Sequence, residues 1–129
     1  MRLTACIIKH ERVILWLMIG LYFVTFSAVC LWKYGLFAYD GLDLAIYNQV
    51  FWNTLHAQPF GLTIHPHSYL GDHAEFGLLT LVPLYALRPD PRTLLILQTA
   101  ALAVTAWPVW RLAKGRLTKK SGAAQIWPL

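Results

Sequence analysis

The sequence predicts an all-α integral membrane protein with two transmembrane helices. Three observations favour this fold class: the composition, two long uncharged stretches and the placement of the basic residues. Of the 129 residues, 57% are hydrophobic and 13% are charged, about half the charged share of a typical soluble domain. Because a short soluble chain leaves much of its surface in water, it needs more polar side chains than this. The composition therefore favours lipid as the main solvent and argues against a soluble, disordered or coiled-coil protein.

The first uncharged stretch covers residues 13–32, between Arg12 and Lys33. As a helix it rises about 30 Å, the thickness of the hydrocarbon core of a bilayer. A cleaved signal peptide is the alternative, but its apolar core would be too long, and residues 27–29 make a poor cleavage site. We therefore predict an uncleaved transmembrane helix over residues 13–32.

The second stretch predicts a transmembrane helix over residues 93–112, in which Thr93 to Trp110 carry no charge. Pro108 is expected to kink its end, since proline lacks the N–H that the helix needs. Between the two stretches lies a shorter apolar run, residues 76–87. This run is shorter than the roughly 20 residues that a spanning helix requires.

The basic residues predict the orientation in the membrane. Eight of the 11 Lys and Arg residues flank the two stretches at the chain's ends, whereas five of the 6 Asp and Glu residues lie within residues 33–92. By the positive-inside rule, both ends face the cytoplasm and residues 33–92 lie outside. If residues 76–87 also spanned, the basic ends would face opposite sides, so an interfacial position for that run is favoured. Basic flanks of this kind are a topology signal, and no nucleic-acid partner is expected.

These boundaries predict a single multi-pass unit of a plasma or inner membrane. Its outer loop is expected to carry interfacial helices over residues 43–56 and 75–87. The apolar residues near the C-terminus follow a basic turn, as another spanning helix would, so we expect the N-terminal part of a longer protein. The predicted segments are residues 1–12 (cytoplasmic), 13–32 (spanning), 33–92 (outer loop), 93–112 (spanning) and 113–129 (cytoplasmic turn and start of a third helix).

The first interfacial helix is predicted from helical spacing of apolar residues in the loop. Leu44, Tyr47, Val50 and Phe51 recur on one stripe, which we expect to face the lipid headgroups. Asp43 precedes this stripe and is predicted to cap the helix, because its carboxylate can accept a first-turn N–H bond.

Titratable residues concentrate in the outer loop. His65-Pro66-His67 in an extended segment would place two imidazoles on one face, as weak candidates for metal ligands. No zinc-type spacing accompanies them, so no cofactor is predicted, and a divalent metal stays an open alternative. Asp72 and His73 are either an acid with its partner or a turn in which Asp72 caps the following helix.

Four segments of the chain resemble a family of predicted polytopic membrane proteins that is defined only as a domain of unknown function. The resemblance covers roughly residues 36–115, and the segments occur in the expected order. They are residues 43–56, 69–73, 83–87 and 94–98.

More remotely, the layout is similar to the C-type glycosyltransferase superfamily, which includes protein mannosyltransferases and aminoarabinose transferases. In those enzymes a spanning helix precedes an outer loop whose early Asp is the catalytic base. Asp43, Tyr47 and Leu55 match the spacing of that motif. Leu44 departs from its acidic neighbour, and residues 71–73 replace a Lys-Pro-Pro-like element.

The resemblance implies transfer of a sugar from a polyprenyl-phosphate donor, with membrane lipid as the surrounding partner. Asp43 is then the candidate base. Asp40, Asp72 and His73 are further catalytic candidates, and the candidate substrate contacts are Tyr47, Gln49, Trp52 and His56. Two alternatives stay open: a small non-enzymatic membrane hairpin, and a transport or metal-handling subunit. The 129 residues alone are expected to be inactive, since such enzymes enclose their substrates with many spanning helices.

Overall fold

The computed structural model describes residues 2–39, 41–64, 68–71 and 73–123. Over these ranges the chain is helical and forms no strand, which confirms the all-α prediction. Two short 3₁₀ segments, Tyr69–Gly71 and Phe76–Leu81, lie between the longer helices. The α-helices are α1 (Arg2–Gly35), α2 (Leu42–Leu55), α3 (Val82–Ala86), α4 (Pro91–Val104) and α5 (Ala106–Ala123).

Two helical stretches are long and apolar enough to cross a membrane. They are His10–Gly35 and Pro91–Arg116, of 26 residues each, and they contain the predicted spans 13–32 and 93–112. The apolar segment Phe76–Ala86 is shorter than a span. It also divides into a 3₁₀ segment and the short helix α3, with Pro83 in the first turn of α3. The helix predicted over residues 75–87 is therefore two short pieces.

The second span is interrupted at Thr105, between α4 and α5. Pro108 lies four residues after Val104 and cannot donate a hydrogen bond to the Val104 carbonyl. Hydrogen bonds continue on either side, since Thr105 N–H donates to the Ala101 carbonyl at 3.2 Å and Val109 N–H donates to the Thr105 carbonyl at 3.4 Å. The interruption therefore lies next to the carbonyl that Pro108 leaves without its helical donor, and the kink itself stays a prediction.

The chain forms two compact units, and the first comprises Met1–Phe26 with Thr99–Leu129. Within it, Lys114 of α5 forms an ion pair with Glu11 of α1. Lys114 also lies over the ring of Trp110, and Arg111 lies over the ring of Trp107. The ion pair brings the start of the first span beside the end of the second, as two antiparallel crossings require.

The second unit, Ser27–Gln98, has a hydrophobic core of its own. Val50 of α2 packs with Phe60 and Tyr69, and the ring of Phe51 lies 5.3 Å from that of Tyr85. The stripe of α2 that we expected to face lipid headgroups is instead covered, at Val50 and Phe51, by the chain's own loop.

The predicted cap of α2 is wrong. The helix begins at Leu42, with Gly41 in the N-cap position and no side-chain capping bond. Gly41 has φ +72°, a conformation that glycine adopts without steric cost. The chain therefore enters the helix two residues earlier than expected, and Asp43 lies in the first turn, where a carboxylate interacts favourably with the helix dipole.

Candidate functional site

The loop that follows α2 folds back along that helix. Ala57 and Phe60 have positive φ values of 62° and 57°, and the Phe60 N–H donates to Thr54 Oγ1 at 3.1 Å. Asn53 Nδ2 donates to the Gly61 carbonyl at 2.9 Å. These contacts reverse the chain directly after α2, where Gln58-Pro59-Phe60-Gly61 stands in the sequence.

Gln49, a predicted substrate contact, fastens this loop to α2. Its Nε2 donates to Thr63 Oγ1 at 2.7 Å, and its Oε1 accepts from the Thr63 N–H at 3.3 Å. Both ends of the Gln49 amide are thus engaged within the chain, which gives Gln49 a structural role in this conformation.

Tyr47, another predicted substrate contact, belongs to a three-residue cluster with Tyr69 and Glu75. The hydroxyls of Tyr47 and Tyr69 donate to the same Glu75 oxygen, at 3.3 Å and 3.0 Å. Burial and the hydrogen bonds with Tyr47 and Glu75 raise the pKa of Tyr69 above its ordinary value of 10.0, so the phenol stays neutral and continues to donate. The cluster ties α2 to the segment that precedes the second 3₁₀ turn.

A cavity of about 340 Å³ lies where the end of α1, the start of α2 and the start of α4 meet. Gly41 and Ala45 contribute to one side of it. Its walls are mainly aromatic and apolar, with one amide: Tyr34, Phe37, Tyr39, Leu44, Asn48 and Pro91.

The amide of Asn48 is held in place from behind the cavity. The hydroxyl of Tyr85 donates to Asn48 Oδ1 at 2.7 Å, and Tyr85 is fully buried at 0% exposure. Burial, with the nearby Asp90, raises the pKa of Tyr85, which keeps the donor protonated. This hydrogen bond orients the Asn48 amide, whose NH₂ group carries two further hydrogen-bond donors.

Two cations lie against the aromatic walls of the cavity. Lys33 Nζ is 4.8 Å from the centroid of the Tyr39 ring, and Arg92 Cζ is 5.5 Å from that of Tyr34. Such cation–π contacts hold the charges close to the rings. Burial and the neighbouring Cys30 thiol raise the pKa of Tyr39 to about 12, so its phenol is also neutral near pH 7.

Asp43, the predicted base, is exposed in the first turn of α2, beside the cavity residue Leu44. Within the described ranges, its carboxylate has no hydrogen bond or ion pair. Asp40 and Asp72 lie outside the described residues.

The other predicted site residues are spread over different faces. Trp52 and His56 are exposed and contact each other, with ring centroids 4.4 Å apart, and neither lines the cavity. His73 is exposed, and its ring lies 5.2 Å from that of Tyr69. The candidate metal ligands His65 and His67 lie outside the described residues. In the ranges that are described, no three His, Cys, Asp or Glu residues form a group suited to a metal.

The cavity residues were not predicted as a group. Tyr34 and Tyr39 follow the first span, where aromatic residues are common at a membrane interface, so their type and position were the available signal. Asn48 and Tyr85 are 37 residues apart, and no spacing pattern indicates that they meet.

Comparison with known families gives one match for this chain. A family model described as "Predicted membrane protein (DUF2079)" matches residues 33–127. The matched range includes α2, the cavity residues and the second span. Neither the comparison with curated proteins nor that with solved structures gives a match.

Proposed function

Because the family model covers more than half of its length, the chain belongs to the DUF2079 family of predicted membrane proteins. From that premise we propose that it contributes the catalytic outer loop of a membrane glycosyltransferase of the C-type. In this proposal Asp43 is the general base, and the donor is a sugar joined to a polyprenyl phosphate. The loop lies on the non-cytoplasmic side of a plasma or inner membrane.

The observation that carries the proposal is the state of the Asp43 carboxylate. It is exposed in the first turn of α2 and has no partner among the described residues, whereas Glu75 and Asp90 are engaged with neighbouring side chains. A general base must be within hydrogen-bond reach of the proton that it removes. An uncommitted carboxylate next to a cavity at the end of a span is available for this role.

The reaction needs only the carboxylate, an acceptor hydroxyl and the donor. A carboxylate oxygen of Asp43 takes the acceptor's hydroxyl proton while the acceptor oxygen forms a bond to the anomeric carbon of the sugar. The bond from that carbon to the phosphate oxygen breaks, and its electron pair stays on the lipid phosphate. Attack opposite the leaving group inverts the configuration of the anomeric carbon.

The core of the second unit, Ser27–Gln98 (called the outer-loop unit from here on), supports this role. A base must be held in place by rigid surroundings. Val50 and Phe51 anchor α2 in that core, and Gln49 and Asn53 fasten the following loop to it. Asp43 is thus attached to a helix that packing and hydrogen bonds fix further along its length, from Gln49 to Asn53.

Asp43→Asn in the full-length protein tests the proposal, by measuring sugar transfer from polyprenyl-phosphate donors in isolated membranes. The amide keeps the shape and cannot accept the proton, so the rate should fall by about 10²–10⁴. Glu11→Gln is the control, since it removes a carboxylate at the other end of the first span and should leave the rate unchanged.

Two results would contradict the proposal. An unchanged rate in Asp43→Asn would exclude Asp43 as the base. Absence of transfer by the wild-type protein with every polyprenyl-phosphate donor tested would favour the non-enzymatic hairpin.

A further inference from the structure

We propose that the cavity between α1, α2 and α4 binds the phosphate headgroup of an anionic membrane phospholipid. The proposal goes beyond sugar transfer, since it involves neither a sugar nor Asp43. It rests on where the cavity lies, what lines it and which cations contact its aromatic residues.

The position of the cavity puts it at the depth of lipid headgroups. Tyr34 belongs to the last turn of the first span, which ends at Gly35, and Pro91 begins the second span. Both residues line the cavity. A cavity bounded by the ends of two spanning helices opens at the interface between hydrocarbon and water, where phospholipid headgroups lie.

The lining suits an amphiphile better than a free ion. Phe37 and Leu44 provide apolar surface, and Phe37 is 93% exposed. Phe37 also has φ 54°, a conformation that is uncommon for a residue with a side chain. An exposed aromatic ring at the membrane interface is favourable against acyl and glycerol groups, whereas a small hydrated anion gains nothing from it.

The charges at the cavity are arranged for a phosphate. Arg92 Nε donates to Asp90 Oδ1 at 3.1 Å, which fixes the guanidinium while its two terminal nitrogens remain without a hydrogen bond in the described structure. Lys33 has no ion pair within the same ranges. Arg92 is paired with Asp90, and the exposed Asp43 is next to the cavity residue Leu44 in the chain, so the site relies on where Lys33 and Arg92 lie and not on a net positive charge.

Different groups near the cavity would bind different parts of the lipid headgroup. Arginine can bind a phosphate with two parallel hydrogen bonds, and lysine adds a point charge. The Asn48 amide, oriented by Tyr85, supplies a further donor for an ester or glycerol oxygen.

The test uses the full chain purified in detergent and titrated with phosphatidylglycerol, with bound lipid counted by native mass spectrometry. Each basic residue near an anionic lipid contributes roughly a factor of five. The double variant Lys33→Gln/Arg92→Gln should therefore bind about thirtyfold more weakly. Arg88→Gln is the matched control, because Arg88 is exposed in the same loop and, in the described structure, lies over neither of the cavity rings that Lys33 and Arg92 contact. The affinity of this variant should equal that of the wild type.

A second variant tests the cavity itself without changing its charge. Ala45 is exposed and lines the cavity, so Ala45→Trp should fill the space and reduce lipid binding without unfolding α2. Diacylglycerol, which lacks the phosphate, should bind much more weakly than phosphatidylglycerol to the wild-type protein.

Three results would overturn the proposal. The first is equal phosphatidylglycerol binding by the wild type, the double variant and Ala45→Trp. The second is displacement of the lipid by millimolar inorganic phosphate, which would identify a soluble-anion site. The third is preferential binding of polyprenyl phosphate, which would assign the cavity to the donor of the proposed transfer reaction. The counts of bound lipid need no catalysis, so the transfer proposal and this one can fail separately.

Discussion

The first span and the core of the outer loop are both apolar, but they use their apolar side chains differently. Leu21 in the first span is 70% exposed within the chain, whereas Phe51 in the loop core is 3% exposed. Exposure of this kind suits lipid, because lipid tails are as apolar as leucine. Phe51 is covered by the chain's own aromatic residues, among them Tyr85.

This difference shows that hydrophobicity carries two kinds of information in the same chain. In the spans, hydrophobicity determines that the helix is stable in lipid, so almost any apolar residue is suitable and the length of the apolar stretch matters most. In the outer loop it specifies packing partners, so the identity and shape of each side chain matter. Substitutions of the same type should therefore have different effects in the two regions.

The largest expected difference comes from truncating a large apolar residue in each region. Phe51→Ala should destabilise the outer-loop unit by about 3–5 kcal/mol, since it removes buried surface and leaves a cavity. Leu21→Ala, the matched control in the span, should change stability little. Denaturant titration of the protein in lipid nanodiscs measures both. Equal losses in the two variants would contradict the comparison.

Introducing a charge should have the larger effect in the first span and the smaller effect in the outer loop. Leu21→Arg places a charge within the first span and should raise the free energy of membrane insertion by about 2.5–3.5 kcal/mol. Trp52→Arg, at an exposed position in the outer loop, should insert normally. Resistance to alkaline carbonate extraction reports the inserted fraction. Normal insertion of Leu21→Arg would mean that the first helix does not cross the bilayer.

Removing a single hydroxyl should have a smaller effect, again confined to the loop core. Tyr85→Phe loses the hydrogen bond to Asn48 and should cost about 1 kcal/mol. Tyr22→Phe is its counterpart in the span, where the Tyr22 ring stacks on Phe26 at 4.3 Å. We expect Tyr22→Phe to leave the unfolding midpoint unchanged. A similar shift in both variants would show that the hydrogen bond of Tyr85 to Asn48 adds no stability of its own.

The smallest effect, absent at neutral pH, is a loss of loop stability in alkali. The folded structure raises the pKa of Tyr69 above its ordinary value of 10.0. The contribution of Tyr69 to the free energy of unfolding is therefore complete below about pH 10. It decreases as the pH rises above that value, because the Tyr69 phenol ionises in the unfolded chain before it ionises in the folded one. Unfolding midpoints measured across this range should fall more steeply for the wild type than for Tyr69→Phe. Identical slopes would show that Tyr69 is not linked to folding.

The sequence predicts the spans well because their signal is local. Residues 13–32 and 93–112 are recognised by length and lack of charge, and both fall within the helical stretches of the structure. The existence of α2 was also predictable from its apolar spacing. Its start was not, because Gly41 adopts a positive φ that moves the cap away from Asp43.

The candidate site was less predictable because it is built from distant residues. Tyr47 and Glu75 are 28 residues apart, and their contact depends on the loop folding back at Ala57 and Phe60. The resemblance indicates Tyr47 and Gln49 as substrate contacts, and this stays a prediction. The structure adds that both side chains form hydrogen bonds with the loop, which no local pattern indicates. The role of Asp43 stays a prediction.

The central claim is that the chain crosses the membrane twice and leaves the loop between its two spans on the side opposite to both ends. Cysteine labelling in intact cells with a membrane-impermeant maleimide tests it most directly, with Cys6 and Cys30 replaced by alanine. Ala74, Ala86 and Gly115 are exposed in the structure and serve as positions for single cysteines. We predict that Ala74→Cys and Ala86→Cys are labelled in intact cells, and that Gly115→Cys is labelled only after permeabilisation. Labelling of Gly115→Cys together with Ala74→Cys in intact cells would contradict the two-crossing account.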